Sequence, residues 1–298
     1  MNKILFIAFL TIAMDSNAQI PTDGLVLWYP NNGNAINNVR NGNDGVVNGA
    51  TLTIDRFSTY NSAYSFDGIS NKIIIANSDT VDFSNGVTFS AWVKSTKYAN
   101  SSIIDRIQNN GSGFRINLRN DGYIWAQAGN YNTISSAKSK SSFAPNSWLF
   151  VTGTWDINGE LKIFVNGKFE GSNYNLFDMS SVYSIYLGDG QRTEDFEPFS
   201  GSIDDIRIYN RALSMSEITS LFALQCPTTS LKGYYNFHGD ANDMSGNGMD
   251  GVVQGATISS DRFGHVNSAY LFDGVSNEIP LMNSDKIDFS KGFNGRSG

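Results

Sequence analysis

One stretch of this chain occurs twice. Residues 55–83 read DRFSTYNSAYSFDGISNKIIIANSDTVDF, and residues 261–289 read DRFGHVNSAYLFDGVSNEIPLMNSDKIDF. The offset, 261 − 55 = 206, holds without a gap from Leu25/Leu231 to Gly86/Gly292. Roughly half the paired residues are identical, far above chance for unrelated segments. Such a period is too long for a solenoid unit and marks tandem domains, of which the first copy is complete and the second is cut off.

The N-terminus lies outside both copies. Lys3 supplies a positive start, Ile4 to Met14 is apolar, and Ser16-Asn17-Ala18 offers small residues for cleavage before Gln19. That is the pattern of a signal peptide over residues 1–18, too short to span a bilayer, and it places the mature chain in the secreted or cell-surface compartment. No other stretch reaches transmembrane length. The remainder divides into a domain at residues 19–224, a linker at 225–230 that carries Cys226 and Pro227, and a truncated repeat at 231–298. The sole cysteine has no internal partner. A net charge of −7 argues against nucleic acid and anionic membrane as partners.

From Gly24 the signals are for strands. Leu25 to Tyr29, Val46-Val47, Ala63 to Phe66, Lys72 to Ala76, Thr88 to Val93, Ser102 to Ile107, Gly113 to Leu118, Gly122 to Ala128, Trp148 to Trp155, Glu160 to Val165, Tyr183 to Leu187 and Ser202 to Tyr209 are short β-prone runs. Asn-Gly and Asp-Gly turns separate many of them, and Asn166-Gly167 between apolar runs is a hairpin signal. Many short strands without a long amphipathic helix give an all-β, two-sheet antiparallel jelly-roll sandwich. In Thr88 to Val93, alternation puts Phe89 and Ala91 on one face and Trp92 on the other. One short helix is expected over Met215 to Phe222, with Ser214 and Glu217 as its capping box and Leu213 and Ile218 as a hydrophobic staple.

The segments GLVLWYPNNGNA, NGNDGVVNGATLTIDRF, NSAYSFDG, TFSAWV, LKIFVNGK and GSIDDIRIYNRALSMSEI resemble the laminin-G-like jelly rolls of the concanavalin A-like lectin/glucanase superfamily, in the form common in secreted Bacteroidetes-type proteins. The resemblance covers Gly24 to Leu224 in full and Leu231 to Gly292 as a first portion. It implies a two-sheet jelly roll. The superfamily spans lectins, adhesion modules and glycoside hydrolases, so activity has to be argued from the site. The first copy departs from the family pattern at Asn37 to Gly42, where the second keeps the acidic-then-SGNG loop at Asp243 to Gly248.

Hydrolysis of a glycoside needs two carboxylates, roughly 5–10 Å apart. No E-x-D-x-x-E strand is present. Glu194, Asp195 and Glu197 read as a solvated loop, and Asp105, Glu160, Asp204 and Asp205 are the acids placed in or beside central strands. Both histidines, His238 and His265, fall in the second copy and read as surface loop residues. Calcium suits the oxygen-rich composition better than a soft metal. Alternation puts Asp204 on the face of Ile206 and Ile208, so Asp204, Asp67 and Gly68 are the candidate calcium ligands. The competing reading pairs Asp204 with Arg56 and leaves Asp67 to make a turn.

Sugar binding needs aromatic faces flanked by amides. Tyr98, Tyr123, Trp125, Asn130 and Tyr131 are the candidates, with Tyr123 and Trp125 two apart on one strand and so on one face. Burial of Trp125 in the core beside Trp92, Trp148 and Trp155 is the competing reading. The chain reads as a non-catalytic carbohydrate-binding module, with a cell-surface adhesion module for protein and a glycoside hydrolase as alternatives. The second copy, lacking the later strands, is expected not to fold properly alone.

Overall fold

The computed structural model describes residues 20–39, 42–57, 59–75, 81–107, 113–130, 133–176, 184–190 and 197–225, together with residues 233, 235, 237, 239–243, 248–260, 266–267 and 269–283 of the second copy. Residues 1–18, read above as a signal peptide, and Cys226, His238, His265, Tyr131, Glu194 and Asp195 lie outside these residues.

In chain order the first copy holds β1 (Leu25–Tyr29), β2 (Gly45–Asn48), β3 (Thr51–Thr53), β4 (Ala63–Asp67), β5 (Lys72–Ile75) and β6 (Gly86–Ser95). Then come β7 (Ser101–Ile107), β8 (Gly113–Leu118), β9 (Tyr123–Asn130), β10 (Thr133–Ser142) and β11 (Leu149–Asp156). The set closes with β12 (Glu160–Val165), β13 (Lys168–Tyr174), β14 (Ile185–Leu187), β15 (Ser200–Tyr209) and the helix α1 (Met215–Gln225). One antiparallel sheet runs β13-β12-β11-β6-β15-β4-β3, with β1 also on β15; the other runs β10-β9-β8-β7-β14-β5-β2. This is the jelly-roll sandwich that the strand spacing predicts. The spacing missed β3, β10 and β13.

The main core lies between the sheets. Phe89 of β6 and Phe114 of β8 meet edge-on across it, centroids 5.1 Å apart. A glycine faces them: a Cβ on Gly153 of β11 would stand 2.9 Å from Phe114 Cζ. Trp155 is buried in this core. Trp92 points the opposite way, as alternation requires, into a second cluster with Phe150, Phe164, Tyr209, Leu213, Ile218 and Leu221 beneath α1. Trp148 is half-buried at that cluster's margin.

The helix starts as its sequence dictates. Ser214 N donates to Glu217 Oε2 at 2.8 Å, and Glu217 N donates back to Ser214 Oγ at 3.3 Å. Staple residues Leu213 and Ile218 are both buried. The helix then runs past Phe222 to Gln225, whose Oε1 accepts from Trp92 Nε1 at 3.0 Å and whose carbonyl accepts from Arg56 Nε at 3.1 Å.

The second copy repeats the first copy's pairings at the same offset. β16 (Thr257–Ser259) and β17 (Ala269–Leu271) pair in the register of β3 and β4, and Gly251↔Leu281 and Gln254↔Glu278 repeat Gly45↔Ile75 and Asn48↔Lys72. Tyr29 and Tyr235 each donate a hydroxyl to a backbone carbonyl, of Asn43 and Met249. Among the described residues, neither core cluster contains one from the second copy. Among the described residues no helix is long and apolar enough to cross a membrane.

Candidate functional site

The outer face of the second sheet is built by period-two alternation. On β8, Phe114, Ile116 and Leu118 enter the core, leaving Arg115 and Asn117 outside; on β9, Ile124, Ala126 and Ala128 enter it, leaving Tyr123, Trp125 and Gln127 outside. The register then lines these side chains up across strands. Tyr186 of β14, Asp105 of β7, Arg115 of β8, Gln127 of β9 and Ser136 of β10 form one row. Asn117, Trp125 and Lys138 form the next.

The first row is a bonded polar ladder. Arg115 Nε donates to Gln127 Oε1 at 2.8 Å, Asn117 Nδ2 donates to the same oxygen, and Gln127 Nε2 donates to Ser136 Oγ at 2.8 Å. Ser102 Oγ donates to Asp105 Oδ2 at 3.1 Å. Arg115 Nη1 stands 3.9 Å from the same carboxylate. Burial pushes the Arg115 guanidinium below its usual range, against the pull of Asp105. Asp105 and Asn117 are 0 % exposed, which is unusual for polar groups on a sheet's outer face. The chain crowds closely over Asp105: a Cβ on Gly190 would stand 2.1 Å from Asp105 Oδ2, so only glycine fits there. Asp105 and Arg115 offset each other, and the ladder as a whole carries little net charge.

The aromatic pair sits beside it. Trp125 is half-buried and belongs to neither core cluster, so the reading that sets it among core tryptophans is corrected; Gln127 and Trp125 keep the same outward parity. Its Nε1 is buried and without a hydrogen-bond acceptor. Lys138 Nζ lies 3.6 Å from the Tyr123 ring centroid, and the Arg119 guanidinium lies 4.8 Å from that of Trp125. Tyr98, 50 % exposed, packs over Gly122 next to Tyr123: a Cβ there would meet its ring at 2.7 Å. Tyr123 and Trp125 are thus brought together, whereas Tyr98 turns the other way and lines a separate cleft with the core-facing Leu118 and Ile124. Asn130 is not brought to them either, since it lies at the far end of β9, five residues and roughly 17 Å from Trp125.

The proposed calcium ligands are not brought together either. The register sets Asp67 opposite Ser200, four residues and roughly 13 Å along β15 from Asp204. One ion with ligands at about 2.3–2.6 Å does not span that gap. Asp67 Oδ1 accepts from the backbone N–H groups of Ile69, Ser70 and Asn71, which hold its carboxyl below the usual range, and Gly68 (φ 72°) makes the turn. Asp204 does not share the face of Ile206 and Ile208. A bulge between Asp204 and Arg207, with Asp205 at φ 47°, resets the alternation, so Ile203, Ile206 and Ile208 enter the core while Asp204 turns outward to Arg56. Among the described residues no three His, Cys, Asp or Glu side chains gather as a metal cluster.

Sequence reasoning weighed Asp105 only as a glycosidase acid and passed over Arg115, Asn117 and Gln127. The signal was available: in GFRINL and YIWAQAGN the outward positions other than Gly113 and Gly129 are polar or aromatic.

Comparison with known proteins follows the same line. A laminin G family model, described as concanavalin A-like lectin/glucanases superfamily, matches residues 66–219, just over half of the chain. Botulinum neurotoxin type G from Clostridium botulinum is 27% identical over 168 residues, which is 48% of this chain and 12% of the toxin. Type E from the same species is 26% identical over 248 residues, 76% of this chain and 17% of the toxin. The chain therefore spans less than a fifth of these relatives. A solved structure of botulinum neurotoxin type C, from work on its entry through two ganglioside molecules, superposes with TM-score 0.55 at 19% identity, over 71% of this chain and 53% of that one. Domain 4 of an extracellular arabinanase from Geobacillus stearothermophilus, in complex with arabinotriose, superposes with TM-score 0.54 at 20% identity, over 66% of this chain and 97% of that one. At these identities the structural likeness establishes the fold.

Proposed function

The chain belongs to the concanavalin A-like lectin/glucanase superfamily as a laminin-G-like member, and from that premise we propose that its first copy is an exported binding module that holds a neutral glycan on the outer face of the second sheet. The observation that carries this reading is the half-buried pair Tyr123 and Trp125 on that face, beside the partly open Ser136 and the exposed Lys138, with the buried ladder from Asp105 to Gln127 as the floor that holds them in place. Sugar hydroxyls are donors and acceptors of no net charge. A bonded, charge-compensated row of amides, hydroxyls and one ion pair complements them better than a single-sign patch would. Aromatic side faces supply the apolar contact, and the polar groups at the open edge of the ladder, Ser136 and Lys138, fix orientation. The arabinanase domain with arabinotriose and a toxin binding domain in complex with a sialylated sugar are neighbours in fold that hold glycans, which supports the same reading. A third neighbour was solved with rat synaptotagmin II, and a protein ligand on this face is the second reading.

The test incubates the chain from Gln19 with arabinan, arabinotriose and sialylated oligosaccharides and follows both retention and reducing ends. Trp125→Ala and Gln127→Ala should each weaken retention about tenfold, the equivalent of roughly 1.4 kcal/mol. Retention unchanged in both variants would place the ligand elsewhere. Reducing ends released by the wild type and lost in Asp105→Asn would make this face a hydrolase site instead.

A further inference from the structure

The second copy repeats the strand pairings of the first and leaves their inner face open. At the offset of 206, Tyr270 and Phe272 take the places of Tyr64 and Phe66, and Ile279 and Leu281 those of Ile73 and Ile75. In the first copy all four belong to the main core, with Phe66 3 % exposed. In the second copy Phe272 is 47 % exposed, and Tyr270, Ile279 and Leu281 are half-buried. Phe237, where the first copy has Asn31, sets a further ring edge-on to Tyr270, centroids 5.5 Å apart. A row of large apolar side chains left uncovered in this way marks an interaction surface.

The backbone is open at the same place. Among the described residues β17 pairs with β16 alone, whereas its counterpart β4 pairs with β3 on one edge and with β15 on the other. There Ser200 lies opposite Asp67 and Ile203 opposite Tyr64, positions that the offset converts to Asp273 and Tyr270. The segment 278–281 has a free edge as well. Gln254 and Glu278 exchange backbone bonds, and Val252 N donates to the Pro280 carbonyl, so the backbone groups of Ile279 and Leu281 face the other way. Pro280 lacks its N–H on the paired side, which leaves the donors of the free edge intact.

The first copy shows what fits such a face. β15 lies antiparallel along β4, and Phe199, one residue ahead of it, meets Phe66 edge-on with centroids 6.3 Å apart. Donors and acceptors in strand register are matched by an extended peptide backbone and not by a glycan or a lipid. Charge narrows the class further. The described residues of the second copy include Asp240, Asp243, Asp250, Asp273 and Glu278 and no Lys or Arg, and Asp273 and Glu278 adjoin the open edges. Such a surface favours a basic partner. A second copy of this chain would bring only the three-residue edge of β17 and the same net charge of −7. We propose that the second copy is a strand acceptor, which takes up along β17 an extended apolar segment of a partner protein that carries Lys or Arg beside its apolar residues.

The test uses the full chain and a fluorescently labelled peptide of the β15 sequence, Glu197 to Tyr209, carrying Asp204→Lys and Asp205→Lys. Its anisotropy should rise saturably with a micromolar Kd, and the unsubstituted peptide should bind at least about tenfold more weakly. In the chain, Phe272→Asp at its exposed position should weaken binding by about tenfold or more. Leu271→Asp adds the same charge one residue away, on the opposite face of the strand, and should change it by less than about threefold. No saturable rise, equal affinity of the two peptides, or unchanged affinity in Phe272→Asp would each overturn the proposal. Equal loss in Leu271→Asp would overturn it too, because charge and not the inner face would then decide. So would a dimer of the free chain in sedimentation that Phe272→Asp dissolves, since the face would then belong to a second copy. Glycan retention by the first copy has no bearing on any of these outcomes.

Discussion

Arg56 and Asp204 show how much one buried residue can hold. Arg56 answers two carboxylates and the Gln225 carbonyl at once. Removing it strands buried charge, which typically costs roughly 3–5 kcal/mol, whereas Asp204→Asn keeps an oxygen for Arg56 and should cost about 1 kcal/mol or less. Arg56→Met is therefore expected to be the more damaging change by several kcal/mol in urea unfolding; equal losses would show that the pair does not act as drawn. The pH dependence has a definite sign. Burial pushes the Asp204 carboxyl well above its ordinary 3.8, and Asp205 and Asp55 add to this, against the pull of Arg56. A raised acid favours the folded state most at low pH, below 3.8, and that contribution is lost as pH climbs through the folded value. Asp204→Asn should remove this decline. The Arg56–Asp204 pair was the competing reading of the sequence, but the face on which Asp204 sits was not legible from alternation. Counting by twos along Ser202 to Tyr209 put Asp204 with Ile206 and Ile208, because an inserted bulge residue leaves no mark in a one-dimensional pattern. The ladder residues were hidden for another reason. Polar side chains at every second position read as a solvated face, and only the fold shows that Asp105, Asn117 and Gln127 are buried on theirs.

At the scale of elements, the sequence was most informative where both faces of a strand are covered. β6, β8, β11 and β15 carry apolar residues dense enough to mark them. β10 and β13 went unseen because they are edge strands of the two sheets: TISSAKSKSS buries little beyond Ala137 and Ser139, and KFEGSNY is exposed or half-exposed throughout. A short, charged or Lys-bearing edge is the usual defence against pairing with another chain, and the same defence erases the hydrophobic signal. The helix was legible because its cap is local. Ser214 and Glu217 lie within one turn, and Arg211 adds Nη2 to Glu217 Oε1 at 2.6 Å. Arg211 and the Ser214 donors hold the Glu217 carboxyl from its ordinary 4.5 down to about 2. A depressed acid contributes stability that is present above 4.5 and lost as pH falls toward 2. Both partners are about a quarter to a third exposed, so screening reduces the effect to about 1 kcal/mol. Glu217→Gln should cost that much at neutral pH and flatten the acid limb between those values. An unchanged acid limb in this variant would show that the carboxylate is not anchored.

At the scale of the whole molecule, the boundary read from the repeat falls one residue short of the end of α1. Splitting the chain after Leu224 treats Gln225 as linker, because a Gln before Cys226 and Pro227 has no pattern of its own. In the fold Gln225 is the last helical residue, 5 % exposed, and it joins α1 to both Trp92 and Arg56. The described residues of the second copy contribute nothing to either core cluster, although they repeat the local registers of the first. Two consequences pull in opposite directions. Ending the chain beyond the helix, after Ser230, should leave the melting transition of the first copy where the full chain has it, since no core contact among the described residues is removed. Ending it after Leu224 removes the acceptors of the buried Trp92 indole and of Arg56 Nε. Each orphaned buried donor costs roughly 1–3 kcal/mol, so the shorter chain should unfold at clearly lower urea concentration with the same slope. A pair of chains, 19–224 and 19–230, measured side by side decides it. Equal midpoints would mean that Gln225 is linker after all. A large loss in both would mean that the second copy, despite its separate pairing, supports the first.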